Sequence, residues 1–116
     1  MTNALWRAKG RLPFGVMTGT ELEHANNLEL RRRAGDIQWF KSKPLRLILA
    51  KGMTYEPDFL VMNALDLLEF HETKGPHAAE DSIVKIKAAA ELFPIFEFQL
   101  WQRARNGDWT CEVIGR

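Results

Sequence analysis

Residues 55–75 read YEPDFLVMNALDLLEFHETKG, and the fold turns on this stretch. Glu56 to Met62 is apolar and branched enough for a strand, with Pro57 restricted to its start or edge because proline cannot donate to a ladder. Asn63 to Asp66 supplies the residues of a turn. Leu67 to Lys74 then returns as a strand, which Gly75-Pro76 ends. Alternate residues of a strand share a face, so Leu68, Phe70, Glu72 and Lys74 point one way and Leu67, Glu69, His71 and Thr73 the other. If Leu68 and Phe70 face a core, the two charges continue an apolar row. Burying either charge alone is expensive, so Glu72 and Lys74 need each other, a metal ion or water at the strand end. A Glu/Lys pair opening into solvent would satisfy that need too.

Asp58 adds a second acid. It stands at a Pro-Asp step on the neighbouring strand, with a hairpin of suitable length carrying the chain back to Glu72. Two carboxylates ~4 Å apart repel by about 4 kcal/mol at an effective dielectric near ~20. A divalent cation reverses the sign of that interaction, and oxygen ligands suit Mg²⁺ or Mn²⁺. The plain alternative for Asp58 is an acid of a turn or strand start.

Working outward, Thr18 followed by Glu21 has the spacing of a capping box and predicts a helix from there to about Arg33, with Gly35 as its left-handed stop. On that helix Glu21 lines up with Ala25 and Leu28 and heads the apolar stripe. It serves either the helix cap or a site on the sheet. Residues 1–17 read as an irregular basic arm, with Gly10, Pro13 and Gly15 as breakers. Pro44 to Ala50 is a short apolar run predicted as a strand, broken at Gly52. Downstream, Asp81 or Ser82 caps a second helix through about Phe93, with Ile83, Ile86, Ala90 and Phe93 on one side. Pro94 stops it. Phe96, Phe98 and Leu100 then alternate with Glu97, Gln99 and Trp101 as a half-buried strand, and Asn106-Gly107 predicts a hairpin to Trp109–Ile114. The order is helix, three strands, helix, two strands: an α/β (α+β) fold around one mixed sheet, read as a single domain over 1–116.

Charge is uneven. The net charge is +1, yet residues 1–53 carry +6 and residues 54–116 carry −5. A basic half can track phosphates while an acidic half holds a cation. No apolar run approaches the ~20 residues of a membrane span, and Met1 to Gly10 lacks the apolar core of a secretory signal. Cys111 is the single cysteine, so the chain has no internal disulfide. The expected setting is a reducing cytoplasm without membrane contact.

Tyr55-Glu56-Pro57-Asp58-Phe59, then Glu72-Thr73-Lys74-Gly75 with thirteen residues between Asp58 and Glu72, then a helix bearing Lys85 and Lys87, together resemble the PD-(D/E)xK nuclease superfamily. The αβββαβ core order of that superfamily (the restriction-endonuclease-like fold) matches the order predicted over residues 18–102. The first helix, TGTELEHANNLELRRRAGDIQWF, looks closest to a group of small phage-encoded, uncharacterised members. The layout is also similar to phage endonuclease I, a junction-resolving enzyme.

The resemblance implies a metal-dependent DNA endonuclease working in a host cytoplasm on duplex or branched DNA. Nothing in the sequence resembles a base-reading module, which favours structure-selective or nonspecific cutting, and a homodimer is the simplest geometry by which so small a domain cuts both strands. It makes Asp58 and Glu72 the ligands of Mg²⁺ or Mn²⁺, Glu21 the acid contributed by the first helix, the Thr73 carbonyl a further ligand and Lys74 the catalytic lysine. Arg7, Lys9, Arg11, the Arg31, Arg32 and Arg33 run, and Lys87 are the candidates for phosphate contact; a solvated helix end accounts equally for the Arg run and a solvated helix lysine for Lys87. His71 is expected to be a satisfied structural histidine, and the tryptophans core or interface residues. Two other functions stay open: a nucleic-acid-binding protein of the same fold without cleavage, and a structural or assembly protein with a Glu72–Lys74 salt bridge.

Overall fold

The computed structural model describes residues 17–77 and 80–115; Arg7, Lys9, Arg11 and nearly all of the basic arm lie outside them. Helix α1 spans Gly19–Arg33. Its start is the predicted capping box, with the Thr18 hydroxyl accepting from the Glu21 N–H and Glu21 Oε1 accepting from the Thr18 N–H. It ends where Gly35 turns to φ +85°, a conformation that costs a residue with a side chain more. The Gly35 and Asp36 N–H groups close back onto the Arg32 and Arg31 carbonyls.

The next element departs from expectation. Strand β1, Ile37–Ser42, follows directly, although no strand is predicted there. It is an edge strand with an irregular register between Ile37 and Trp39, and such a break erases the alternation by which a strand is read. The run predicted as the first strand, Pro44 to Ala50, shortens to β2 (Leu47–Ala50). It pairs only with β3 (Met53–Tyr55) in a separate hairpin. Leu47, Leu49 and Tyr55 pack from that hairpin onto one of the two cores. Strand β4 begins at Phe59 and ends at Asn63, so Pro57 and Asp58 stand just before it. Strand β5, Leu68–Lys74, helix α2, Glu80–Leu92, strand β6, Glu97–Arg103, and strand β7, Trp109–Ile114, fall close to the predicted bounds.

The main sheet is mixed, in the order β1-β4-β5-β6-β7. The pairs β1–β4, β4–β5 and β6–β7 are antiparallel, while β5–β6 is parallel and joined through α2. Each face has its own apolar core. Met17, Ala25 and Leu28 meet Ile37, Phe59 and Val61 on the α1 side. On the α2 side Ile86 and Ala89 meet Tyr55, Phe70, Phe98, Leu100 and Ile114. Strand β5 lies between two strands and under both layers, so Glu69 to Thr73 are all buried although their side chains alternate. A strand covered on both faces must find partners for every polar group it carries.

Candidate acidic site at the ends of β4 and β5

The ladder between β4 and β5 stops at the pair Phe59–His71. Beyond it the strands part, and the Asp58 side chain fills the gap. Its Oδ2 accepts from the Thr73 N–H at 2.8 Å and from the Thr73 hydroxyl at 3.0 Å. A side chain therefore replaces the lost ladder bond, which fixes the carboxylate against β5. This is also how Thr73 serves the site: through its N–H and hydroxyl, both directed at Asp58.

Asp58 Oδ1 accepts from Lys43 Nζ at 3.3 Å, and the same ammonium lies 3.2 Å from Glu21 Oε2. Lys43 follows β1 directly and holds φ +46°, a left-handed conformation uncommon outside glycine and asparagine. Its N–H donates to the Asp58 carbonyl at 2.9 Å. Glu21 fills both roles set against each other in the sequence. One oxygen closes the helix cap and the other takes the lysine.

On the other face, Glu72 Oε1 accepts from the Tyr55 hydroxyl at 2.8 Å, and its Oε2 lies 2.9 Å from Lys74 Nζ. The shared face of Glu72 and Lys74 is as predicted. Asp58 and Glu72 share no hydrogen-bond partner; their carboxylates interact through charge. Burial pushes the Glu72 carboxyl up to about 7, and the negative charge of Asp58 adds to it against the pull of Lys74 and Tyr55. Glu21 is raised for the same two reasons, burial first and Asp58 second. Burial works against the Lys43 ammonium, but Asp58 and Glu21 outweigh it and hold its pKa above the usual lysine range. Burial first, and the charge of Asp58 second, therefore keep Glu21 and Glu72 protonated to higher pH than an ordinary glutamate.

Lys43 and Tyr55 are the members of this group that sequence reasoning missed. Tyr55 stood within the quoted motif without a role, while nothing in the string marks Lys43, whose position depends on a backbone turn. Other candidates fall elsewhere. Arg32 and Arg33 bond to Glu29, exposed at the far end of α1. Arg31 lies over the Trp101 ring. Ten residues of helix put this run ~15 Å along the axis from Glu21. Lys87 is exposed and lines a groove with Ala90, Glu91 and Glu112 to Gly115, a groove that includes no member of the acidic cluster.

His71 is the satisfied histidine expected, but its partners are new. Its Nε2 bonds Glu69 at 2.9 Å and its Nδ1 bonds His24 Nε2 at 3.0 Å, while Asn63 donates to the second Glu69 oxygen. The aromatic rings of Phe59, Trp101 and Trp109 surround His24. Burial, then the neighbouring His71 and Arg31, lower its pKa to about 3. If Glu69 is the acceptor at one end, each imidazole donates toward it in turn, leaving His24 Nδ1 as an acceptor with no partner among the described residues.

The chain matches no protein-family model, curated protein or solved structure. No helix among the described residues is long and apolar enough to cross a membrane.

Proposed function

We propose that the chain is a divalent-metal-dependent nuclease hydrolysing DNA phosphodiester bonds, structure-selective or nonspecific, of the kind used in phage DNA processing. The observation that carries this reading is the pairing of two buried acid–lysine groups at one end of the sheet: Glu21 and Asp58 bridged by Lys43 on one face, and Glu72 with Lys74 on the other, near enough for the Asp58 charge to raise the Glu72 carboxyl. The element order supports it as well. With the β2–β3 hairpin taken as an insertion, α1, β1, β4, β5, α2 and β6 follow the αβββαβ order of the restriction-endonuclease-like fold.

Carboxylate oxygens are the ligand type that Mg²⁺ or Mn²⁺ takes. Among the described residues no group of three or more acidic, histidine or cysteine side chains is arranged to hold a metal ion. Mg²⁺ commonly keeps several waters and uses one or two carboxylates; a site built from Asp58 and Glu72 requires these two side chains, turned to opposite faces of the sheet, to meet past the end of the β4–β5 ladder. When bound, such an ion lowers the pKa of a coordinated water and screens phosphate charge. The remaining chemistry belongs to the chain. Thr73 orients Asp58, Tyr55 orients Glu72, and Lys74 holds the attacking water or the charge that develops on the phosphate. A symmetric dimer would give one centre per strand.

One observation favours a metal-free structural role: each acid in the cluster already has a hydrogen-bonding partner. Incubation with plasmid, branched junction and single-stranded DNA, with and without Mg²⁺ or Mn²⁺, separates the readings. Asp58→Asn or Lys74→Ala is expected to lower cleavage by at least about 10²-fold. Cleavage that survives either change removes that residue from the mechanism. Absence of Mn²⁺ binding by calorimetry, with or without DNA, leaves the structural role.

A further inference from the structure

Beside Lys74 lies a cationic groove that the acidic cluster does not use. Residue pairing across the sheet sets Lys74 next to Gln102, and Gln102 next to Thr110. Paired residues share a face, so these three side chains form one row at neighbouring strand spacings of ~4.8 Å. Gln102 and Thr110, with Pro76, Arg103, Ala104 and Arg105, line an open cavity of about 380 Å³. It sits past the C-terminal ends of the parallel neighbours β5 and β6, the side of an open α/β sheet where ligands are commonly held.

The charges in the groove are unevenly matched. Arg103 is braced: its Nε donates to Glu23 at 2.8 Å and its NH1 to the Ala104 carbonyl at 3.3 Å. Arg105 has no carboxylate partner among the described residues. Its NH2 instead donates to His77 Nε2 at 3.2 Å, from the connection between β5 and α2. The nearest acid in sequence, Asp108, is engaged with the Asn106 side chain. A guanidinium has five N–H donors in a planar fork. Here one is directed at the His77 ring nitrogen, which steadies the fork, and no carboxylate among the described residues pairs with the charge. That arrangement suits an anion with several oxygens.

We infer that this groove holds a backbone phosphate of a nucleic-acid strand adjacent to the scissile one, gripped by Arg105 against His77, with the Glu23-paired Arg103 as a fixed wall and Gln102 and Thr110 as its neutral floor. The inference rests on the proposed nuclease reading for what the strand is doing there. The grip itself does not require cleavage.

The test is fluorescence anisotropy of the full chain with a short fluorescein-labelled DNA of mixed sequence, in EDTA so that nothing is cut, across a range of NaCl concentrations. Arg105→Gln is expected to weaken binding about tenfold at low salt and to reduce the slope of log K against log salt by about one. Arg105→Lys, keeping the charge and losing the fork, is expected to fall between. Lys51→Gln removes an equal charge in the exposed turn between β2 and β3, outside the lining of the groove, and is expected to leave both quantities unchanged. Thermal melts confirm that the variants fold, as substitution in an exposed turn should allow. Binding that Arg105→Gln leaves intact, or that Lys51→Gln weakens equally, overturns the groove, as does wild-type protein that binds no DNA. The expected Arg105 loss in a protein that never cuts with Mg²⁺ or Mn²⁺ supports the groove and refutes the nuclease.

Discussion

Replacing Lys43 by methionine tests the acidic cluster directly, because the side chain keeps its length and loses its charge. Its ammonium lies 3.2 Å from Glu21 and 3.3 Å from Asp58. At an effective dielectric near ~20, each attraction is worth about 5 kcal/mol. Most of that is offset by the cost of drawing three charges out of water, and the Lys43 side chain keeps about 24% of its exposure. Removing one partner of a fully buried pair costs about 3–5 kcal/mol, so at this partly wet position a loss of about 2–3 kcal/mol is expected. The assay is urea unfolding in EDTA at neutral pH, then again with Mn²⁺. A ligand at about one hundred times its Kd returns about 2.7 kcal/mol, and the variant, with its acids left facing one another, should gain more from the ion than the wild type does. The loss should also shrink on acidification, since the raised pKa of Glu21 brings its neutralisation to a higher pH than an ordinary glutamate. A loss under about 0.5 kcal/mol, the scale of an exposed pair, would show that the acids are not pressed together. A full loss that Mn²⁺ leaves unrepaired would show that the cluster does not accept a divalent ion.

Two further outcomes follow from the buried hydrogen bonds. Tyr55→Phe removes the donor to Glu72 Oε1 and is expected to cost about 1–3 kcal/mol when that carboxylate is charged and about 1 kcal/mol or less when it is protonated. Urea unfolding should therefore show a larger deficit above the Glu72 pKa of about 7 than below it; equal deficits would separate Tyr55 from that titration. His24 stays neutral in the fold, with its pKa lowered from 6.5 to about 3, so the unfolded chain takes up a proton that the folded chain refuses. Its contribution is complete above pH 6.5 and drains away as pH falls toward 3. Glu72, raised from 4.5 to about 7, acts in the opposite sense, adding stability below 4.5 that is lost as pH rises through 7. The difference between His24→Phe and wild type isolates the histidine. That variant should be less stable at neutral pH, through loss of the His71 bond, yet decline less steeply with acid; parallel curves would refute a neutral buried imidazole.

Much of the fold was legible because several elements announce themselves locally. Thr18 and Glu21 fix the start of α1, Gly35 its end, and the alternation about Phe70 and Phe98 marks the two parallel strands. Strand β1 was hidden because it lies at an edge with a broken register, leaving IQWFKS without a clean period. The β2–β3 hairpin was hidden for a different reason. An apolar run such as LRLILA reports that it will be covered and not which sheet it will join. The same gap separates charge from place in the site. The Arg31–Arg33 run and Lys87 are basic wherever they stand, but a count along the chain cannot say that the helix carries the first away from Glu21. Lys43 shows the converse, a residue unremarkable in sequence that a left-handed turn delivers between two acids. The Glu69–His71–His24 row also crosses from strand to helix, and such a pairing has no sequence spacing to betray it.

That row has a mechanical consequence. Oil-like contacts between a helix and a sheet tolerate sliding, since one methyl group replaces another at small cost. A chain of directed bonds does not: shifting α1 by one turn, ~5.4 Å, would strand His71 Nδ1 without its His24 partner in a dry interior. The imidazoles therefore act as a key that permits one height for the helix on the sheet. Glu21 is one turn from His24 on the same helix, so whatever holds that key in its slot also sets how far the first acid reaches toward Asp58.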